Sequence, residues 1–149
     1  AVAPSGETTT AAGLIHDVKN VAATLEKAGF HVDLELTGPV MRVSEIVRQV
    51  LRRAVRELGT NVLKHGAPSG GVRLVLAVEE HRVVLSSSNH IAAGRPIVSS
   101  RTGIEAMKAR TEVFEGSVVV KVRGGVWTTT IIIPTQLKSL AASRIGELV

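Results

Sequence analysis

An α+β two-layer sandwich, with helices on one face of a mixed, mostly antiparallel sheet, is the fold class this sequence predicts. Three observations carry the prediction. Ser44 to His65 repeats apolar residues at the spacing of one long helix; two pairs of β-rich runs follow it, each joined by a short turn; and an isolated strand pattern, His31 to Leu36, precedes it. At 149 residues and 44% hydrophobic content the chain is the size of one domain with one sizeable core.

The elements follow in order. Ala1 to Gly13 is small, polar and rich in Thr, and reads as a flexible linker cut from a longer protein, with no charged or apolar region of a signal peptide. Leu14, Val18, Val21 and Leu25 sit at helical spacing, and Gly29 is suited to the position just past a helix end. His31 to Leu36 alternates apolar and polar residues, as a half-buried strand does, until Gly38-Pro39 ends it.

The long helix then opens on Ser44 as N-cap, with Glu45 in its first turn. Its apolar residues are Ile46, Val47, Val50, Leu51, Ala54, Val55, Leu58 and Val62, and Gly66-Ala67-Pro68 stops it. Val72 to Val78 and Arg82 to Ser88 form a hairpin, and Asn89 to Thr102 lacks a sustained period and reads as a loop of functional length. A helix from Gly103 to Glu115 follows. Ser117 to Val122 and Val126 to Ile133 make a second hairpin around Arg123-Gly124-Gly125, and Pro134 ends the sheet. The domain thus runs from Leu14 to Pro134, and Thr135 to Val149 is a tail with a weak helical pattern.

Composition excludes several classes of function. No apolar run reaches the roughly 18 residues of a membrane span, and the absence of cysteine removes disulfides, thiolate metal sites and thiol nucleophiles and favours a cytoplasmic setting. The net charge of +5 invites a polyanion, but aromatic residues are only 2%, too few for a base-stacking surface, so nucleic acid is not expected as a partner.

The polar residues of the long helix carry the chemistry. Successive helical residues turn by about 100°, so Glu57 and Asn61 lie about 40° apart on one face, and Asn61 falls between Val50 and Ala54 in the sector that otherwise faces the core. A buried amide without partners costs about 1 to 3 kcal/mol, so a ligand or metal is a candidate to satisfy it. The alternative is structural, with Asn61 capping a nearby loop and Glu57 pairing with Arg53 at i−4.

The string Arg56-Glu57-Leu58-Gly59-Thr60-Asn61-Val62-Leu63-Lys64-His65 resembles the N box of the ATP-binding domains of sensor histidine kinases, in the GHKL or Bergerat ATPase superfamily. Thr102-Gly103-Ile104-Glu105-Ala106-Met107-Lys108-Ala109-Arg110 is similar to the family's second glycine box, and Gly124-Gly125-Val126-Trp127 through Pro134 to its closing hairpin. The resemblance covers roughly Phe30 to Pro134. It implies a Bergerat-type sandwich that binds Mg-ATP and donates the γ-phosphoryl group to a histidine on a separate dimerisation domain, with a response regulator downstream.

Residue by residue, the resemblance gives Asn61 to Mg²⁺, makes Glu57 the group that positions or activates the reactants, and brings Lys64 and His65 to the phosphates. Gly103 opens a helix whose first N–H groups suit phosphate, and Thr130 is a candidate for the adenine edge. The chemistry agrees, since Mg²⁺ prefers oxygen ligands and phosphoryl transfer needs positioning and charge neutralisation.

The first glycine box departs from the family pattern. Its adenine-binding Asp is Asn89, whose amide oxygen still accepts a hydrogen bond, while Ile91 and Ala93 stand where the family has glycines, and only Gly94 follows. Two alternatives therefore stand beside the kinase: a degenerate signalling or docking module of the same fold, and a serine kinase of the anti-sigma-factor type. His16-Asp17 superficially resembles a phosphoacceptor motif, but His16 lies opposite the apolar face of its helix and too close to Glu57 in sequence, and reads as an exposed surface residue.

Overall fold

The computed structural model describes residues 7–93 and 101–137. Helix α1 (Ala12–Lys27) buries Leu14, Val18, Ala22 and Leu25, a stripe recurring every three to four residues. Gly29 then turns the chain with φ +98°, a left-handed conformation that glycine adopts without a Cβ clash. Helix α2 (Glu45–His65) buries Val47, Leu51, Ala54, Val55, Leu58 and Val62 along one side. Ile46, counted among its apolar positions, is only half-buried. The two helices approach closely at Gly59, where an added Cβ would stand 2.7 Å from Val21 Cγ1.

Ser44 occupies the N-cap position of α2 but makes no capping hydrogen bond through its side chain. Its hydroxyl is buried without a partner, and the residue is held by its backbone N–H, which donates to the Thr135 carbonyl at 2.7 Å.

Five strands form the main sheet: β2 (Val32–Thr37), β4 (Val72–Val78), β5 (Arg82–His90), β6 (Ser117–Arg123) and β7 (Val126–Pro134), in the order β2-β4-β5-β7-β6. Only the β2–β4 pair is parallel; the others are antiparallel. This is the mixed, mostly antiparallel sheet the sequence predicts. The Asn89 to Thr102 stretch read as loop is partly strand, since β5 continues through His90. Helix α3 (Arg101–Val113) begins two residues before Gly103.

The stretch read as linker is also partly structured. Thr8–Thr10 forms a short strand, β1, antiparallel to β3 (Arg42–Ser44), and Arg42 donates to Thr8 Oγ1 at 2.9 Å and to its carbonyl at 2.6 Å. The weak helical pattern beyond Leu137 lies outside the described residues.

Each main strand turns alternate residues toward the helices. Val32, Leu74, Leu76, Val83, Leu85, Ile131 and Ile133 join the helical stripes in a single core. The opposite face is polar and partly exposed: Arg73 pairs with Asp33 at 2.7 Å and Glu35 at 2.9 Å, and the Ser88 and Thr128 hydroxyls lie 3.0 Å apart. Among the described residues no helix is long and apolar enough to cross a membrane.

The core is graded along its length. On the helix-facing side of the β5–β7 ladder, Val83 pairs with Ile133 and Leu85 with Ile131, then Ser87 with Thr129 and Asn89 with Trp127. Helix α2 follows the same gradient. Its first turn lies near the end of β7, through the Ser44 to Thr135 bond, and its last residue lies beside Trp127. The polar end of the interlayer is therefore where the C-terminal half of α2 arrives.

Candidate functional site

Glu57, Asn61 and His65 stand four residues apart on α2, a row that drifts by about 40° per step around the helix axis. Asn61 is half-buried, and among the described residues its side chain makes no hydrogen bond. No loop cap by Asn61 is found among the described residues. Glu57 does pair with Arg53, whose Nε lies 3.3 Å from Oε1, and a second cation reaches it across the fold, because Arg110 on α3 donates to Oε2 at 2.6 Å.

His65 is placed differently from the expectation that it reaches out to phosphates. Only 6% of it is exposed; its ring stacks on Trp127 with centroids 6.2 Å apart and planes 12° apart, and neither ring nitrogen has a partner among the described residues. Its carbonyl accepts from Ala92 N–H at 2.8 Å. Buried nitrogens without hydrogen bonds are costly in an apolar setting. Lys64, the neighbouring residue of the row, is exposed.

Asn89 is buried on the helix-facing side of β5, opposite Trp127, and its Nδ2 donates to the His90 carbonyl at 3.1 Å. Oδ1 is the acceptor atom of that amide. The chain beyond β5 is tied down: Ile91 bridges Gly66 and donates to the Gly125 carbonyl at 2.9 Å. Gly103 is exposed in the first turns of α3, and a Cβ added there would meet nothing within 4 Å, so packing does not demand glycine at this position. Gly94 lies outside the described residues.

Thr130 does not belong to this group. The period-two alternation of β7 turns it to the outer face, where its hydroxyl lies 3.5 Å from Ser86 Oγ, while its neighbour Thr129 is buried on the helix side and accepts from Trp127 Nε1 at 2.9 Å. Thr130, a candidate for the adenine edge in the sequence, is thus placed as an ordinary strand residue on the outer face, and Thr129 is the threonine of the Thr128-Thr129-Thr130 run that faces the helices. The period was available, because counting from Ile131 and Ile133 as core residues puts Thr129 on their face.

Among the described residues no cluster of three or more His, Asp or Glu could hold a metal by itself, so a cation here would need ligands from its substrate. Mg²⁺ commonly takes few protein ligands beside phosphate oxygens, and Asn61 offers one free amide oxygen.

Solved structures with the same architecture are found at low sequence identity. The catalytic domain of histidine kinase ThkA matches with a TM-score of 0.67 and 15% identity, over 87% of this chain and 95% of that one. The histidine kinase AdeS of Acinetobacter baumannii matches with a TM-score of 0.65 and 16% identity, over 87% and 66% of the two chains. The mycobacterial sensor histidine kinase MprB matches with a TM-score of 0.64 and 14% identity, over 89% and 99%. The fold is that of histidine-kinase catalytic domains. No family model matches the sequence, and no curated protein sequence is significantly similar to it.

With the histidine-kinase fold in hand, two residues stand out that sequence reasoning left without a role. Trp127 backs His65, and Arg110 meets Glu57. The arginine was visible in the second-glycine-box resemblance, but its partner lies 53 residues away in sequence. His16 is exposed, as its helical face predicts.

Proposed function

We propose that this chain is the cytoplasmic catalytic, Mg-ATP-binding module of a sensor histidine kinase, donating the γ-phosphoryl group to a histidine on a separate dimerisation domain that in turn serves a response regulator. The observation that carries the reading is the row Glu57, Asn61 and His65, in which the amide and the imidazole lack protein partners at the polar end of the interlayer. In this reading Asn61 holds Mg²⁺, which would bridge phosphate oxygens and neutralise charge on the transferred group. Glu57 orients the acceptor, Asn89 Oδ1 accepts from the adenine amino group, and the start of α3 at Gly103 receives phosphate on its N–H groups. Lys64 supplies positive charge near the phosphates, and His65 with Trp127 forms the wall behind the nucleotide.

Calorimetric titration with Mg-ADP tests it. Binding in the micromolar to millimolar range is expected, with loss of the Mg-dependent part in Asn61→Ala. No heat at millimolar nucleotide would count against the reading, and unchanged Mg-dependence in Asn61→Ala would remove that residue from the site.

A second reading, a docking module that has lost turnover, is favoured by one feature. Ile91 and Ala92 stand in the degenerate glycine box and are bonded through their backbones to Gly125 and His65, which restrains the segment where glycines would give freedom. Binding of nucleotide without phosphoryl transfer by the kinase that carries this chain would select it.

A further inference from the structure

We propose that Arg110 is a positioning residue for Glu57, fixing its carboxylate for the phosphoryl transfer assigned above; the inference rests on that reading. Glu57 is 31% exposed and has three rotatable side-chain bonds, so by itself it would sample several rotamers. Two guanidinium groups hold it, and they are unequal. Arg53 approaches from the preceding turn of the same helix at 3.3 Å with a side chain 64% exposed, an arrangement that contributes little. Arg110 reaches the other carboxylate oxygen at 2.6 Å from a side chain 28% exposed.

The anchor of Arg110 is firm. Met107, one turn earlier on α3, is 1% exposed in the core, and Thr111 donates to the Met107 carbonyl at 2.8 Å. The ion pair therefore links two helices whose other functional positions are Asn61, one turn beyond Glu57, and Gly103, two turns before Arg110. Displacement of a catalytic group by about 1 Å costs on the order of 100-fold in rate, so a residue that fixes the carboxylate matters without touching substrate.

Two measurements test the role. In nucleotide-free chain, the guanidinium Nη–H signals of Arg110 should be resolved by NMR at low temperature, because the bond to Glu57 slows rotation, and should average in Glu57→Gln. In the kinase that carries the chain, Arg110→Gln should lower kcat by about tenfold or more with KM for Mg-ATP within about threefold, and Arg110→Lys should recover most of the loss. In a Glu57→Gln background Arg110→Gln should add nothing. Averaged Arg110 signals in the wild type, a kcat for Arg110→Gln within about twofold of wild type, or a further loss in the Glu57→Gln background would each overturn the proposal. If wild-type chain fails to bind Mg-ADP while the Arg110 signals are resolved, the kinase reading falls and takes the positioning role with it, leaving the ion pair intact.

Discussion

At one end of the interlayer, Leu51 of α2 and Leu85 and Ile131 of the sheet are fully buried in the common core; at the other, Asn61 and His65 of the same helix arrive over Ser87, Asn89 and Thr129 of the same strands. Helix and strands run continuously through both ends, so backbone geometry does not distinguish them. Side-chain chemistry does. Among the described residues each end holds polar atoms without partners, the Ser44 hydroxyl at the aliphatic end and the Asn61 amide and two His65 nitrogens at the other, where they share one helix face. A fold that needed only stability would have extended the aliphatic packing, since buried polar groups without hydrogen bonds cost free energy.

Substitutions at the two ends should therefore differ in how stability and nucleotide binding respond. Leu51→Ala is expected to lower unfolding free energy by about 2 to 5 kcal/mol, read from denaturant melts, because it removes buried methyl groups and leaves a cavity. Thr129→Val should cost about 1 to 3 kcal/mol by stranding the Trp127 Nε1 donor, whereas Thr130→Val on the outer face should stay within about 0.5 kcal/mol and leave nucleotide binding unchanged. Equal effects of the two threonine substitutions would show that the assignment of faces is wrong.

His65→Phe should stabilise the free chain by about 1 kcal/mol, since an apolar ring of similar shape replaces two unsatisfied nitrogens, and should weaken Mg-ADP binding in the same preparation. A loss of stability would mean that the imidazole is satisfied after all. The smallest effect is Gly103→Ala. Nothing packs against the position, and alanine favours helix, so a gain of up to about 0.5 kcal/mol is expected together with weaker nucleotide binding. Unchanged affinity there would detach α3 from the site.

The long helix and both hairpins were legible in the sequence because their periods are long enough to read: α2 buries six of the apolar residues that its spacing marked, and β4 has the predicted ends, Val72 and Val78. The small β1–β3 sheet was not, since three-residue strands have no period and exist through pairing across distant positions. The face of Thr130 was harder to read, because one residue of register in a strand reverses the face. The Glu57–Arg110 pair and the burial of His65 against Trp127 were hidden for another reason. Both are contacts between separate elements, and neither pattern nor propensity encodes which side chains meet once the layers close. The row of Glu57, Asn61 and His65 on α2 was legible because a single helix carries all of it.

The most direct measurement is a map of backbone amide shifts on titration with Mg-ADP. The account predicts that the perturbed amides cluster at residues 61–66, 87–92, 103–107 and 127–129, with Leu51, Leu85, Ile131 and the outer-face residues Ser86, Thr128 and Thr130 little changed. Saturating nucleotide that moves none of the first group, or that acts chiefly on the outer face of the sheet, would contradict it.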